Sequence, residues 1–219
     1  MGKQRGFTLL ELLVGMVIIS IGISISLQSY LRNMRQGEID RYTQQLESGF
    51  FSLRAKLGQQ KTSCTLIFDS SGLNNFVSPA DLVEVRKHPE RIECCNSDIE
   101  AAGQSNGCAY GPEIGELLAE NLSGPEKEKI IRDRSLRMVN QERTPESMAT
   151  KISVNLASYE LTPPGTSTMT EELIFLIKSN KPDDQNLRTR CLEISGTGRI
   201  YRGTWNKVST RCEEKQFSQ

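Results

Sequence analysis

The feature that most constrains this chain is an apolar run close to its start. From Phe7 to Leu27 the residues read FTLLELLVGMVIISIGISISL, with 14 apolar side chains in 21 positions. As a helix rising 1.5 Å per residue, that run is about 32 Å long, the thickness of a bilayer's hydrocarbon layer. No second run of this kind follows within the 219 residues, which argues against a multi-pass architecture. Lys3 and Arg5 precede the run with no acid among the first six residues. The positive-inside rule therefore keeps that end cytoplasmic and sends the rest across.

The remainder is far more polar. Lys plus Arg equals Asp plus Glu at 27 each, so there is no global basic field to attract nucleic acid or anionic lipid. The length suits one globular domain behind an anchor rather than two separate cores. All six cysteines, Cys64, Cys94, Cys95, Cys108, Cys191 and Cys212, lie beyond the apolar run. An even count in an exported domain of modest apolar content points to a disulfide framework and an oxidising compartment.

Two simple templates compete for the N-terminus: a secretory signal peptide cut near Ser24-Ile25-Ser26, and a plain single-span anchor. The first expects a shorter apolar region, and neither accounts for Glu11, because a carboxylate in a spanning helix is costly and marks a partner. A third reading uses the same residues. Gly6-Phe7-Thr8-Leu9-Leu10-Glu11-Leu12-Leu13, behind a short basic leader, resembles the processing site of type IV prepilins and type II secretion pseudopilins. The resemblance covers about the first 30 residues.

It implies that a membrane-embedded prepilin peptidase cuts between Gly6 and Phe7 and methylates the new amine of Phe7, leaving the anchor in place. Glycine at the cut keeps the scissile carbonyl clear of a side chain. Glu11 then has a physical task in filament assembly. In a helical array of subunits it meets the Phe7 amine of a neighbour within an apolar core. The pair is tolerated where the lone carboxylate is penalised, so it sets axial register.

Beyond Leu27, Ile39, Tyr42, Leu46, Phe50, Leu53 and Leu57 recur at steps of three and four, the stripe of an amphipathic helix. With no proline before Pro79, one helix can run from about residue 7 to 60, roughly 80 Å. Gly37 and Gly49 are its weak points, each costing about 1 kcal/mol relative to alanine. Many pilins carry a proline near the membrane exit; this chain has Gln28 in that neighbourhood, so proline-dependent melting does not carry over. The resulting division is a leader at 1–6, a transmembrane helix at 7–27, its amphipathic half at 28–60 and a disulfide-containing head at 61–219.

Within the head, 61–150 reads as a variable insert and 151–212 as sheet. Strands are predicted at 152–156, 173–177, 191–194 and 199–202, from alternation or short apolar runs. Gly196-Thr197-Gly198 supplies the positive-φ positions of a hairpin rather than a nucleotide-binding fingerprint, since Gly203 is wrongly spaced and no helix follows. The insert contains Pro79, Pro89, Pro112, Pro125 and Pro145, so its helices are short, at 113–121 and 126–139. The fold class is α+β: a long N-terminal helix packed on a C-terminal antiparallel sheet.

Cys191 and Cys212 bracket the last hairpin, an arrangement that resembles the terminal disulfide loop of many pilins. Closing it contributes about 3 kcal/mol in the chain-entropy model. The pairing of Cys64, Cys94, Cys95 and Cys108 stays open, with separate partners favoured for the adjacent Cys94 and Cys95 because a vicinal bond strains the peptide.

No Cys-x2–4-Cys pair exists, and His88 precedes Pro89 in a loop, so no metal or other cofactor is expected. Asp183-Asp184 after Pro182 is a turn before it is a calcium site. With one histidine and no recognisable nucleophile, catalysis is not expected. Arg132, Arg134 and Arg137, with Arg86, Lys87 and Arg91, form either a solvated face or a basic patch for DNA or an acidic glycan.

The resemblance implies a structural subunit, a minor pilin or pseudopilin, whose partners are prepilin peptidase, other pilin subunits, the inner-membrane assembly platform and membrane lipid. It further implies residence in a bacterial inner membrane with the head outside, then in a pilus or pseudopilus. Because the large tip pseudopilin usually lacks the acid, Glu11 favours a place along the shaft or just beneath the tip. The different-class alternative is a membrane-anchored or secreted binding domain that enters no filament.

Overall fold

The computed structural model describes residues 9–60, 63–84, 92–95, 138–139, 141, 143–163, 165–184 and 186–214. One helix, α1 (Leu9–Gln60), accounts for 52 residues without a break. The elements after it are β1 (Ser63–Ile67), α2 (Pro79–Leu82), β2 (Ile92–Cys95), α3 (Pro145–Ala149), β3 (Thr150–Val154), β4 (Ser158–Leu161), β5 (Leu173–Ser179), β6 (Arg190–Ile194), β7 (Ile200–Asn206) and β8 (Arg211–Glu214). The α+β layout read from the sequence is the layout observed.

The strands form two antiparallel sheets. A larger sheet has the order β3-β5-β6-β7-β8, and a smaller one the order β2-β1-β4. The four strands expected from patterning all belong to the larger sheet. The fifth, β8, is short and polar and forms by pairing with β7. The smaller sheet is a departure from expectation, since β1 and β2 fall in the stretch read as a variable insert, for which no strand is expected, and β4 lies between two of the expected strands. The expected helices at 113–121 and 126–139 lie almost wholly outside the described residues, only 138 and 139 being described. Pro145 opens α3, where a missing amide donor costs nothing, and Thr144 caps it by accepting from Ser147 N.

The apolar stripe of α1 makes the core. Ile39, Tyr42, Leu46, Phe50, Leu53 and Leu57 are all buried and pack with β-sheet residues Phe175, Ile177, Leu192 and Ile194. Phe175 is the hub, with Phe50 and Phe68 edge-on to it at 6.5 and 5.5 Å. β5 alternates, placing Leu173, Phe175 and Ile177 against the helix, whereas every residue of β6 is buried.

Gly49 is not the soft spot its composition suggests. A Cβ there would lie 1.8 Å from the carbonyl oxygen of Met138, so the residue is small to let another chain segment cross α1. At the β6–β7 hairpin only Gly198 has positive φ, at 81°, and Gly196 does not. The Gly198 carbonyl accepts from Arg54 Nη1 of α1 at 2.6 Å, tying the hairpin to the helix.

The membrane-grade helix and its junction with the head

The N-terminal half of α1 stands free of the head. Leu9, Leu10, Leu12, Leu13, Val14, Met16, Val17, Ile18, Ile19, Ile21, Ile23 and Leu27 are all exposed, and none of the most apolar window is covered by the rest of the structure. The helix is long and apolar enough to cross a membrane. Its polar side chains adapt to that setting. Ser20 donates to the Met16 carbonyl at 2.8 Å and Ser24 to the Ser20 carbonyl at 2.9 Å, so each hydroxyl is satisfied within the helix. Glu11 lies near the start of the described helix, on this uncovered apolar half.

Where the apolar surface ends, a set of polar contacts fixes the head to the helix. Tyr30, Leu31 and Met34 are the last exposed apolar residues of this face. Arg32 Nη2 donates to the Asn186 carbonyl at 3.0 Å, and Arg35 Nη1 to Asp184 Oδ1 at 2.5 Å. Gln36 accepts from Arg188 N at 2.9 Å and donates to the Arg188 carbonyl at 3.4 Å. One turn on, Asp40 receives both Nε and Nη2 of Arg190, at 2.5 and 2.8 Å. Arg190 is buried, and its remaining arm donates to Thr204 Oγ1 at 2.6 Å. A forked guanidinium suits this task because it directs several donors from one fixed plane.

Farther up the helix, Tyr42 donates to Glu84 Oε1 at 3.2 Å, and Arg143 N donates to Glu84 Oε2 at 2.9 Å. Burial, then the neighbouring Glu84 charge, pushes the Tyr42 phenol well above its ordinary range. Tyr42 is thus held as a neutral donor to the Glu84 carboxyl.

Asp184 is held on the acid side. Its burial works against ionisation, but hydrogen bonds from Ser179 and Arg35, with the charges of Arg35 and Lys181, outweigh it and keep the carboxyl below the usual range. Asp183 and Asp184 close a short 3-10 turn at Pro182–Asp184, and Asp184 serves Arg35 and Ser179.

The family model for the prokaryotic N-terminal methylation motif matches residues 1–27. The chain carries the type IV prepilin signature. No curated protein and no solved structure matches the chain. The motif supports a type IV pilin-like protein processed by prepilin peptidase, of a kind that is typically structural rather than enzymatic. It also agrees with inner-membrane anchoring and with association with other pilin subunits.

Of the residues singled out in the sequence, Gly6 and Phe7 lie outside the described residues, as do Cys108, His88, Arg86, Lys87, Arg91, Arg132, Arg134 and Arg137. Cys191 and Cys212 are joined, with Cα atoms 5.7 Å apart, across the register pairs that link β6, β7 and β8. Cys64 is disulfide-bonded and sits on β1 opposite Cys94, while the side chains of Cys94 and Cys95 lie outside the described residues. Sequence reasoning missed the junction altogether. Arg32, Arg35, Gln36 and Asp40 advertise a polar collar, but their partners at 184–190 are about 150 positions away and carry no local signal.

Proposed function

We propose that this chain is a subunit of a helical type IV pilus or pseudopilus, cut between Gly6 and Phe7, N-methylated at Phe7 and packed through its exposed apolar half-helix. One observation carries the reading. The chain folds the second half of α1 into its own core and leaves the first half, which carries Glu11, bare of any cover from the head. In the membrane, lipid covers that surface; in a filament, the same surface of neighbouring subunits does.

A bare apolar half-helix of this kind would be a liability for a soluble protein, because its exposed apolar area far exceeds the patches such proteins tolerate. In a bundle of such helices Glu11 finds the Phe7 amine of an adjoining subunit. The pair defines register even where desolvation cancels its net attraction. The head's rigid attachment at residues 32–40 transmits that register to the outer surface. Glu11 favours a minor pilin or pseudopilin within the shaft or beneath its tip.

The test is the mass of the mature N-terminus in membranes and in sheared filaments. A methylated Phe7 in both fractions is expected, and Gly6→Val is expected to accumulate as uncut precursor. Mature protein starting beyond Leu27 and free in the medium would overturn the proposal.

A further inference from the structure

A second feature sits at the same end of the head. Lys151, Lys178, Lys181 and Lys207 line one cavity of about 680 Å³, together with Asp184 and Asn186. The four lysines come from β3, β5, the turn after β5 and the turn after β7. Lys151 and Lys178 stand directly opposite each other in the β3–β5 register. Like charges in that position repel, an arrangement that costs stability unless an anion offsets it. Lys178 Nζ lies 3.9 Å from the centroid of the Phe76 ring. Its ammonium is pushed down, first by burial and then by the charges of Lys151 and Lys207. The Asp184 carboxylate in the wall bonds Arg35 and Ser179 and feels the charge of Lys181, so it offsets only part of the lysines' positive charge.

Position identifies the anion. The cavity wall at 184–189 is the loop that bonds α1 at Arg32, Arg35 and Gln36. Tyr30, Leu31 and Met34 carry the exposed apolar face past Leu27 to within one residue of Arg35, or about 1.5 Å along the helix. Measured from the end of that face, the cavity wall meets α1 within a headgroup layer of about 5–8 Å, at the level of lipid phosphates. Val208, 95% exposed, follows Lys207 in the turn between β7 and β8, at the same end of the head. An apolar tip beside lysines is the composition of a membrane-interface contact.

We infer that this lysine-lined cavity binds the phosphate of an anionic phospholipid in the leaflet from which α1 emerges, docking the base of the head on the bilayer. The inference rests on the proposal that α1 spans a membrane. In the membrane pool the lipid holds the head at a fixed height and tilt. On entry into a filament the chain leaves the bilayer and gives the lipid up.

The experiment uses the full chain in maltoside micelles and reads acetylation of Lys151 and Lys178 by mass spectrometry. Short-chain phosphatidylglycerol is expected to protect both lysines at concentrations where short-chain phosphatidylcholine does not. K181Q/K207Q should raise the half-protecting concentration roughly thirtyfold, about 1 kcal/mol for each lysine near an anionic headgroup. K56E, which changes net charge by the same two units at the far end of α1, should shift it less than twofold.

Equal protection by phosphatidylcholine, or an unchanged midpoint in K181Q/K207Q, overturns the proposal. So does protection by inorganic phosphate or glycerol phosphate at the same concentration, which makes the site one for free anions. Protection by duplex DNA but not by the lipid overturns it in favour of nucleic acid. Should K181Q/K207Q not fold, the wild-type comparison of the two lipids decides alone. Carbonate extraction of cell membranes tests the spanning helix separately, because the micelle assay does not depend on it.

Discussion

Two glycines in one helix are expected to respond to the same substitution with opposite sign. Replacing a glycine inside a helix by alanine gains about 1 kcal/mol, because alanine loses less backbone freedom on folding. At Gly37 a Cβ meets nothing within 4 Å, so Gly37→Ala should realise that gain in full. At Gly49 the same Cβ would lie 1.8 Å from Met138 O, 2.8 Å from Met138 C and 3.3 Å from Val139 Cα. The first of these is well inside van der Waals contact, so backbone has to move.

Met138 and Val139 are themselves buried, so their retreat opens the core they fill. Overpacking of this kind costs about 1–3 kcal/mol and sometimes more, which outweighs the propensity gain. With backbone at 1.8 Å the cost sits in the upper part of that range, about 2–3 kcal/mol, so Gly49→Ala should lose about 1–2 kcal/mol net and the two variants should differ by about 2–3 kcal/mol. In a domain of this size that is a separation in Tm of roughly 4–12 °C, with Gly37→Ala above the parent and Gly49→Ala below it. Thermal melts of the full chain in micelles, with the disulfides intact, measure it. Equal stabilisation by both alanines would refute the reasoning, since it would mean that no segment crosses α1 at Gly49.

Opening the Cys191–Cys212 loop, 21 residues apart in sequence, by Cys→Ala at both positions should cost about 3 kcal/mol in chemical denaturation, with the head still folded at low temperature. Because the folded Asp184 carboxyl lies below its unfolded value, its contribution to stability is present above about pH 4 and is lost as pH falls through the lower folded value. The stability gap between parent and Asp184→Asn should accordingly be widest near neutrality and shrink on acidification; a gap that stays constant down to pH 2 would count against the contact. Glu11→Ala should be processed and remain in the membrane but enter filaments poorly, read by immunoblot of sheared filaments; incorporation at the parent level would remove the register role.

Local information sufficed for α1 and for most of the larger sheet. The step of three and four from Ile39 to Leu57 marks a buried face whatever it packs against, and every member of that stripe is buried. The strands at 152–156, 173–177, 191–194 and 199–202 were legible for a similar reason, although their ends moved by one to four residues as pairing partners extended or cut them. β1, β2, β4 and β8 were not legible. SCTLI, IECC, SYEL and RCEE are short and mixed, and they become strands because a neighbour offers an open edge.

The sequence by itself determined the apolar span, the processing motif at its start and the amphipathic stripe that follows, because each is a periodic or contiguous pattern whose meaning depends only on residues nearby. Only the tertiary structure decided that Gly49 is a crossing point and Gly37 is not. It alone brought Arg190 to Asp40 and gathered Lys151, Lys178, Lys181 and Lys207 around one cavity. Charges and close approaches act through space over a few ångströms, and the chain distances between these residues run to 150 positions, so no window of sequence contains both ends of the interaction.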